Sequence, residues 1–350
     1  MKTIVFTGGG TAGHIMPNLA IIDELKNYKI YYIGSNGMEK DIISRYPNII
    51  FKEIPSVKFI RSLTPKNLAI PFKLIKSINI CKNILKEIKP NIIFSKGGYV
   101  SIPVCIAGKS QKIPILTHES DFSIGLANKI IAKCAKNICC SFESTANKYG
   151  KNAIFTGSPI RNTILKGNPT IIENRHKITK NKPVVLIVGG SLGARAINEV
   201  IQSNINELCK KYIIIHIVGK NNINESIKNK DYHQIGFASD IENYFAISDI
   251  VISRAGSNTI FELLALNKPS ILIPLPKSSG SRGDQELNAN YFKEKGYAEV
   301  IDQADLTLDN LQTTIEKIIK NKSQYINNMK NAQNTNGTKT IIKLIEDIIN

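Results

Sequence analysis

The chain has 350 residues, 42% hydrophobic and 21% charged, enough for two domains that each bury a core, and this excludes a disordered or low-complexity protein. Its 46 Lys and Arg against 28 Asp and Glu leave a net charge of +18, which favours an anionic partner: nucleic acid, a membrane surface or a phosphorylated substrate. The 6 cysteines form no C-x-x-C pair and read as reduced core residues, the 5 histidines form no H-E-x-x-H, residues 4–6 are too short for a signal-peptide core, and no apolar run approaches the roughly 18 to 20 residues of a membrane span.

Residues 4–18 read IVFTGGGTAGHIMPN. Gly8, Gly10 and Gly13 satisfy G-x-G-x-x-G between an apolar strand and a helix with the period Ile15, Leu19, Ile22. Such glycines let the backbone approach an anion held at a helix N-terminus. A dinucleotide site also needs an acidic residue about 20 positions on, at the end of the next strand, to hold a ribose. That strand, KIYYIGSN, ends in Gly34 and Ser35, and no Gly-Lys-Ser/Thr follows the glycines, which excludes a Walker A loop. The loop predicts an anion and leaves His14, directly after its last glycine, unexplained.

Further β-rich runs follow in order, IYYIG, IIFKEI, NIIFS, IPILTH, NICCS and AIFTG, with helical patterns between them, the signature of a mostly parallel sheet covered on both faces. Residues 56–90 hold eight basic residues against one acid, Glu87. A helix is predicted there from about Phe72, with Lys73, Lys76, Asn79 and Asn83 on one side and Leu74, Ile78, Cys81, Leu85 and Ile88 on another. In the loop before it, Val57, Phe59, Ile60 and Leu63 interleave with Lys58 and Arg61, a pattern suited to the interface of an anionic bilayer. Residues 166–182 are polar and read as a linker or edge segment. The pattern then restarts with VVLIVGGSLGARAIN, which echoes the opening strand, glycine loop and helix. The predicted class is α/β, with two doubly wound domains, residues 1–160 and 161–335, and a C-terminal helix, 336–350, packing back on the first. Ligands of such sheets sit at the carboxyl ends of the strands, so a cleft between two facing domains is expected.

Taken together, FTGGGTAGH, KGGYVS, HESD, GLANK, TGSPIR, GGSLGARAIN, SRAGSNTIFELLA and RGDQELNA closely resemble glycosyltransferase family 28, in order, in both halves, from residue 6 to about 290. The resemblance implies a GT-B fold of two Rossmann-like domains. It also implies inverting transfer of GlcNAc from UDP-GlcNAc to the muramoyl 4-hydroxyl of undecaprenyl-pyrophosphoryl-MurNAc-pentapeptide (lipid I), forming the β1,4 linkage of lipid II. A lipid-borne acceptor, together with the interleaved apolar and basic side chains of residues 56–63, predicts peripheral binding at the anionic cytoplasmic face of the plasma membrane, and no cofactor or nucleic-acid partner is expected.

That chemistry gives His14 a purpose, since the acceptor hydroxyl must lose a proton and an imidazole titrates near neutrality. Glu119, beside His118, is the second candidate base. The resemblance places Thr11, Ala12, Gly13, Tyr99, His118 and Asn128 among the substrate-binding residues, with Arg161, Ser191, Asn198, Arg254, Glu262 and Gln285 on the donor side. Glu262 matches a carboxylate that accepts from the ribose hydroxyls, and Gln285 an amide that reads sugar hydroxyls. No D-x-D pair is present, so no metal is expected, and helix N-termini and hydrogen-bond donors would meet the phosphate charge. Asp121 stands where many relatives have Asn, and Asp284 where some have Gln.

Three other classes compete with this one. A nicotinamide-dependent oxidoreductase is disfavoured by the missing ribose carboxylate and the second glycine loop. Nucleic-acid binding rests on charge alone, without a recognised module or a single Trp. A UDP-GlcNAc epimerase on the same architecture would use the donor without a lipid acceptor.

Overall fold

Residues 1–55, 70–190, 192–279 and 281–350 are described by a computed structural model of the chain, and they divide into two units, 1–161 with 336–350, and 162–335. In the first unit, β1 (Thr3–Thr7), β2 (Lys29–Gly34), β3 (Ile49–Glu53), β4 (Ile92–Ser95), β5 (Ile115–Glu119), β6 (Asn137–Cys140) and β7 (Ala153–Phe155) form one sheet. Its order is β3-β2-β1-β4-β5-β6-β7, with every pairing parallel. Because helices cover both faces, consecutive strand residues are buried on opposite sides, and the strands read as unbroken apolar runs. One face packs Phe6, Tyr32, Phe94 and Leu116 against Ile15 and Leu19 of helix Ala12–Ile22 and Ile341 and Ile345 of helix Thr338–Ile349. The other packs Val5, Ile33 and Ile93 against Cys81 and Leu85 of helix Ile70–Ile88 and Val104 of helix Ser101–Ser110.

The last helix is tied to the chain leaving β7. Ile160 N donates to Thr338 Oγ1 at 3.0 Å, and Gly337 N donates to Ser158 O at 2.8 Å. A side chain at Gly337 would sit 2.6 Å from Gly157 O and 2.7 Å from Thr156 O, so only glycine allows this approach.

In the second unit, β8 (Val184–Val188), β9 (Ile213–Ile217), β10 (Tyr232–Ile235), β11 (Ile250–Ser253), β12 (Ser270–Leu272) and β13 (Ala298–Val300) pair in parallel in the order β10-β9-β8-β11-β12-β13. Both units therefore have the doubly wound α/β architecture that the strand pattern predicts.

The stretch 166–182, read as a linker or edge segment, instead carries an α-helix at Pro169–His176, just after a 3-10 turn at Asn162–Lys166. Its polar composition hid the start signals: Asn168 caps the helix by accepting from Thr170 N at 3.0 Å, and Pro169 occupies the first turn. Buried Ile172 anchors the helix, which packs on helix Ile241–Ile247.

Strand order reverses between β1 and β4 and again between β8 and β11. These are the points at which parallel α/β sheets open a crevice at their carboxyl ends. The loops leaving those four strands carry GGGTAGH, KGGY, GGSLG and RAGS.

Ile345 contributes to the first unit's core although it lies at the far end of the chain, and it is fully buried. Ile345→Ala should destabilise that unit by about 2 to 5 kcal/mol in urea unfolding. A loss below about 0.5 kcal/mol, the size of a surface substitution, would show that the helix is not part of this core.

Candidate active site

At the first switch point Tyr32 OH donates to Gly8 O at 2.6 Å and Asn18 Nδ2 to Thr7 O at 3.3 Å, which fixes the base of the glycine loop. A side chain at Gly9 would collide with the carboxylate of buried Glu39, itself accepting from Ser35 Oγ at 2.7 Å. Thr11 precedes the helix, and half-buried Ala12, Gly13 and His14 form its first turn. His14 Nδ1 lies 3.0 Å from Thr11 Oγ1.

The loop after β4 lies against the same glycines. Gly98, at φ +82°, passes so close that a Cβ would stand 2.4 Å from Gly9 O and 3.4 Å from His14 Nδ1. The Tyr99 ring covers Gly10, and the Asn128 amide covers Gly97. The first unit thus brings Thr11, Ala12, Gly13, His14, Tyr99 and Asn128 to one edge of the sheet.

His118 and Glu119 do not act as a pair. As consecutive residues of β5 they point to opposite faces, which corrects the expectation of a carboxylate beside an imidazole. His118 is fully buried, with Nε2 3.1 Å from Gly157 O. A carbonyl only accepts, so Nε2 carries a proton. Burial, and after it the Lys96 charge, pushes its pKa well below the usual histidine value. Glu119 accepts from Asp121 N at 3.1 Å, Gly125 N at 3.0 Å and Asn128 Nδ2 at 2.9 Å. Burial first and the Asp121 charge second raise its pKa. A carboxylate so occupied holds residues 120–125 and the start of helix Leu126–Ala132 in place.

In the second unit a cavity of about 590 Å³ opens at the switch point. Gly189, Gly190 and Ala194 line it from the loop after β8, with the N-terminus of helix Arg195–Ser203 behind them. A Cβ on Gly193, at φ +79°, would meet Val218 O at 2.0 Å, so this loop is seated on the exit of β9. Two of the expected donor-side residues line the cavity, Arg254 and Gln285. Arg254 donates to Ile273 O at 3.1 Å, Pro274 O at 3.2 Å and Gln303 Oε1 at 2.6 Å, tying the ends of β11, β12 and β13 together. Gln285 accepts from Leu275 N at 2.9 Å, which leaves its NH2 group for a ligand.

The remaining donor-side residues are placed otherwise. Asn198 is buried, with Nδ2 on Val218 O at 2.9 Å and Oδ1 3.0 Å from His216 Nε2, so both ends of its amide are used inside the unit. Glu262 is half-buried on helix Ser257–Ala265 and is not among the residues lining the cavity. Arg161 belongs to the first unit, where its charge opposes the upward pull of burial on the Asp23 pKa. Ser191 lies outside the described residues, as do residues 56–69 with their interleaved apolar and basic side chains.

Thr259 and Gln303 line the cavity without having been singled out from the sequence. Gln303 reaches it only because β13 pairs with β12, a long-range fact that no local motif carries. Among the described residues no group of three or more His, Cys, Asp or Glu is arranged to hold a metal ion.

Two parallel α/β units, each with a glycine loop at its switch point, define the fold of the two-domain sugar-nucleotide enzymes. Solved structures share it: Acinetobacter baumannii MurG has a TM-score of 0.79 at 24% identity over 99% of this chain and 100% of that one. A putative UDP-N-acetylglucosamine 2-epimerase from Listeria monocytogenes has a TM-score of 0.68 at 14% identity over 99% and 96%. At such identities the likeness establishes the fold alone. Sequence goes further: residues 4–140 match the glycosyltransferase family 28 N-terminal domain and residues 184–345 its C-terminal domain. The chain is 45% identical, across 99% of both proteins, to the UDP-N-acetylglucosamine–N-acetylmuramyl-(pentapeptide) pyrophosphoryl-undecaprenol N-acetylglucosamine transferase of Clostridium botulinum strain Kyoto. It is 45% identical to the Clostridium perfringens enzyme of the same name, over 98% of this chain and 97% of that one. The chain belongs to glycosyltransferase family 28.

Behind the cavity, His216 is held neutral: Asn198 Oδ1 accepts from its Nε2–H, Tyr232 OH lies 3.0 Å from Nδ1, and burial pushes its pKa down to about 3. The unfolded chain binds that proton at about pH 6.5, so it holds more protons than the folded one once pH falls below that value. Stability of the second unit should therefore decline below about pH 6.5 by about 1.4 kcal/mol per pH unit from this residue, and His216→Phe should flatten that slope. An NMR titration of the His216 ring centred near 6.5 would contradict the arrangement.

Proposed function

We infer that the chain transfers GlcNAc from UDP-GlcNAc to the muramoyl 4-hydroxyl of lipid I, with inversion, to give lipid II. The observation that carries this is 45% identity, from end to end, to relatives named for that transfer. The two glycine loops at switch points support it.

On the donor side, the N-terminus of helix Arg195–Ser203 and the loop that includes Ser191 meet the pyrophosphate. Gln285 offers its NH2 group to a sugar hydroxyl, and Glu262 accepts from the ribose. Arg161 is assigned to donor contact as well. Arg254 and Asn198 shape the pocket from behind, Arg254 through three carbonyl contacts and Asn198 through His216. Departure of UDP builds negative charge on its phosphate, and fixed N–H donors stabilise it without reorganising.

On the acceptor side, His14 takes the proton of the attacking hydroxyl, with Thr11 orienting its ring. Tyr99, Asn128 and the turn at Ala12 and Gly13 line the edge on which the acceptor sugar rests. His14 stands ahead of Glu119, whose two oxygens already accept three hydrogen bonds. UDP release from UDP-GlcNAc should require a lipid I analogue, and His14→Ala should lower turnover by about 10² to 10⁴ while UDP affinity stays unchanged. Full turnover in that variant would remove His14 from the chemistry, and conversion of UDP-GlcNAc without any acceptor would favour an epimerase.

Among the described residues no helix is long and apolar enough to cross a membrane. Peripheral binding at the cytoplasmic face fits a lipid-borne acceptor and the net charge of +18. Phe72 is 76% exposed and Ile75 57% at the start of helix Ile70–Ile88, beside exposed Lys73 and Lys76. Leu126, 66% exposed, and Ile130 sit beside exposed Lys129 on helix Leu126–Ala132. Apolar side chains flanked by lysines suit an anionic bilayer, at about 1 kcal/mol for each cation near the surface. Anionic liposomes should cosediment the protein, less so as salt rises, and Phe72, Ile75 and Leu126 changed together to Ser should weaken that binding. Equal binding to neutral liposomes would contradict the surface.

A further inference from the structure

Lys96 is a buried cation of the first unit. It follows β4 at the switch point and is 1% exposed. Its N donates to Thr7 O at 2.9 Å, its Cβ lies under Gly8, and its Nζ donates to Ser120 Oγ. An ammonium has three donors and no acceptor. Among the described residues Ser120 is the hydrogen-bond partner of the ammonium group. The charges around it come from β5 and the loop that follows: Glu119 and Asp121, which favour the cation, and neutral His118; β6 adds the Cys139 thiol. Burial outweighs them and pulls the Lys96 pKa down to about 8.

Desolvation costs this ammonium more than the neighbouring carboxylates return, so an apolar side chain of similar volume would fit here without loss of stability. What the cation does achieve is to fix the direction of a hydroxyl. Since the ammonium cannot accept, Ser120 Oγ must, and the serine's own proton is turned away from Lys96. Ser120 directly follows β5, between Glu119 and Asp121, on the edge that carries Asn128 and the KGGY loop.

We propose that Lys96 is a positioning residue for the acceptor: through Ser120 it sets the turn after β5 and presents the serine hydroxyl as a hydrogen-bond donor to an oxygen of the acceptor sugar. This rests on the reading of the first unit as the acceptor side.

Steady-state kinetics of Lys96→Met with UDP-GlcNAc and a lipid I analogue test it. The KM for the acceptor should rise about tenfold, the loss of one oriented hydrogen bond, while kcat and the Kd for UDP change by less than about twofold. Because burial disfavours the charged lysine, the melting temperature of the variant should equal or exceed that of the wild type. In the wild type the acceptor KM should climb as pH passes through about 8, where Lys96 loses its proton, and in the Met variant this step should be absent. Ser120→Ala should raise the acceptor KM to the same degree but lower the melting temperature, because the ammonium is left without its partner. The double variant should be no worse in KM than either single one and should recover the stability. An unchanged acceptor KM in Lys96→Met, or a parallel fall of kcat and melting temperature, would overturn the proposal, as would persistence of the pH step. If Lys96→Met does not fold, an acceptor KM in Ser120→Ala equal to that of the wild type overturns it. Absence of acceptor-dependent UDP release in the wild type would instead overturn the transferase reading.

Discussion

A parallel sheet buried on both faces satisfies its backbone polar groups through the strand ladder, and the ladder stops at the carboxyl ends of the strands on either side of each switch point. There the N–H and C=O groups must find other partners. How each unit answers that demand decides what it can bind. In the first unit the chain's own side chains answer it: Tyr32 on Gly8 O, Asn18 on Thr7 O, Ser101 on Gly97 O, Thr117 on Ser95 O and His118 on Gly157 O. The edge is closely packed, and half-buried His14 and Tyr99 are among the side chains it carries. In the second unit Arg254 closes the ends of β11, β12 and β13, while the glycine loop after β8 is left facing an open cavity. That contrast suits one unit to positioning a hydroxyl and the other to holding a diphosphate.

Much of this was legible in the chain. The strands of the first sheet stand out as Ile-rich runs because a sheet covered on both faces needs no polar alternation, and the glycine loops announce themselves by spacing. The helix at Pro169–His176 did not, since its polar surface resembles a linker and only the Asn168 cap and Pro169 give it away. Residue roles were legible by type and less so by direction. The HES triplet suggested an acid–base pair, yet the period of a strand sends His118 and Glu119 to opposite faces. Asn198 was assigned to substrate from its place on the pyrophosphate helix, but its amide is spent on His216 and Val218. Gln303 and the Lys96–Ser120 pair depend on which strands become neighbours, and no local motif encodes that.

Fold likeness by itself would leave the chemistry open, because transferases and epimerases share this architecture at low identity. The decision rests on end-to-end identity with the clostridial transferases and on a second glycine loop set against a helix N-terminus.

The central claim, that the helix N-terminus after β8 holds the diphosphate, can be put to calorimetric titration of the full chain with uridine, UMP and UDP. Fixed N–H donors and the helix dipole act on each phosphate, so affinity should rise stepwise along that series, with UDP binding at least about tenfold more tightly than UMP. Equal affinities for UMP and UDP would mean that the second phosphate makes no contact there, and would contradict the account.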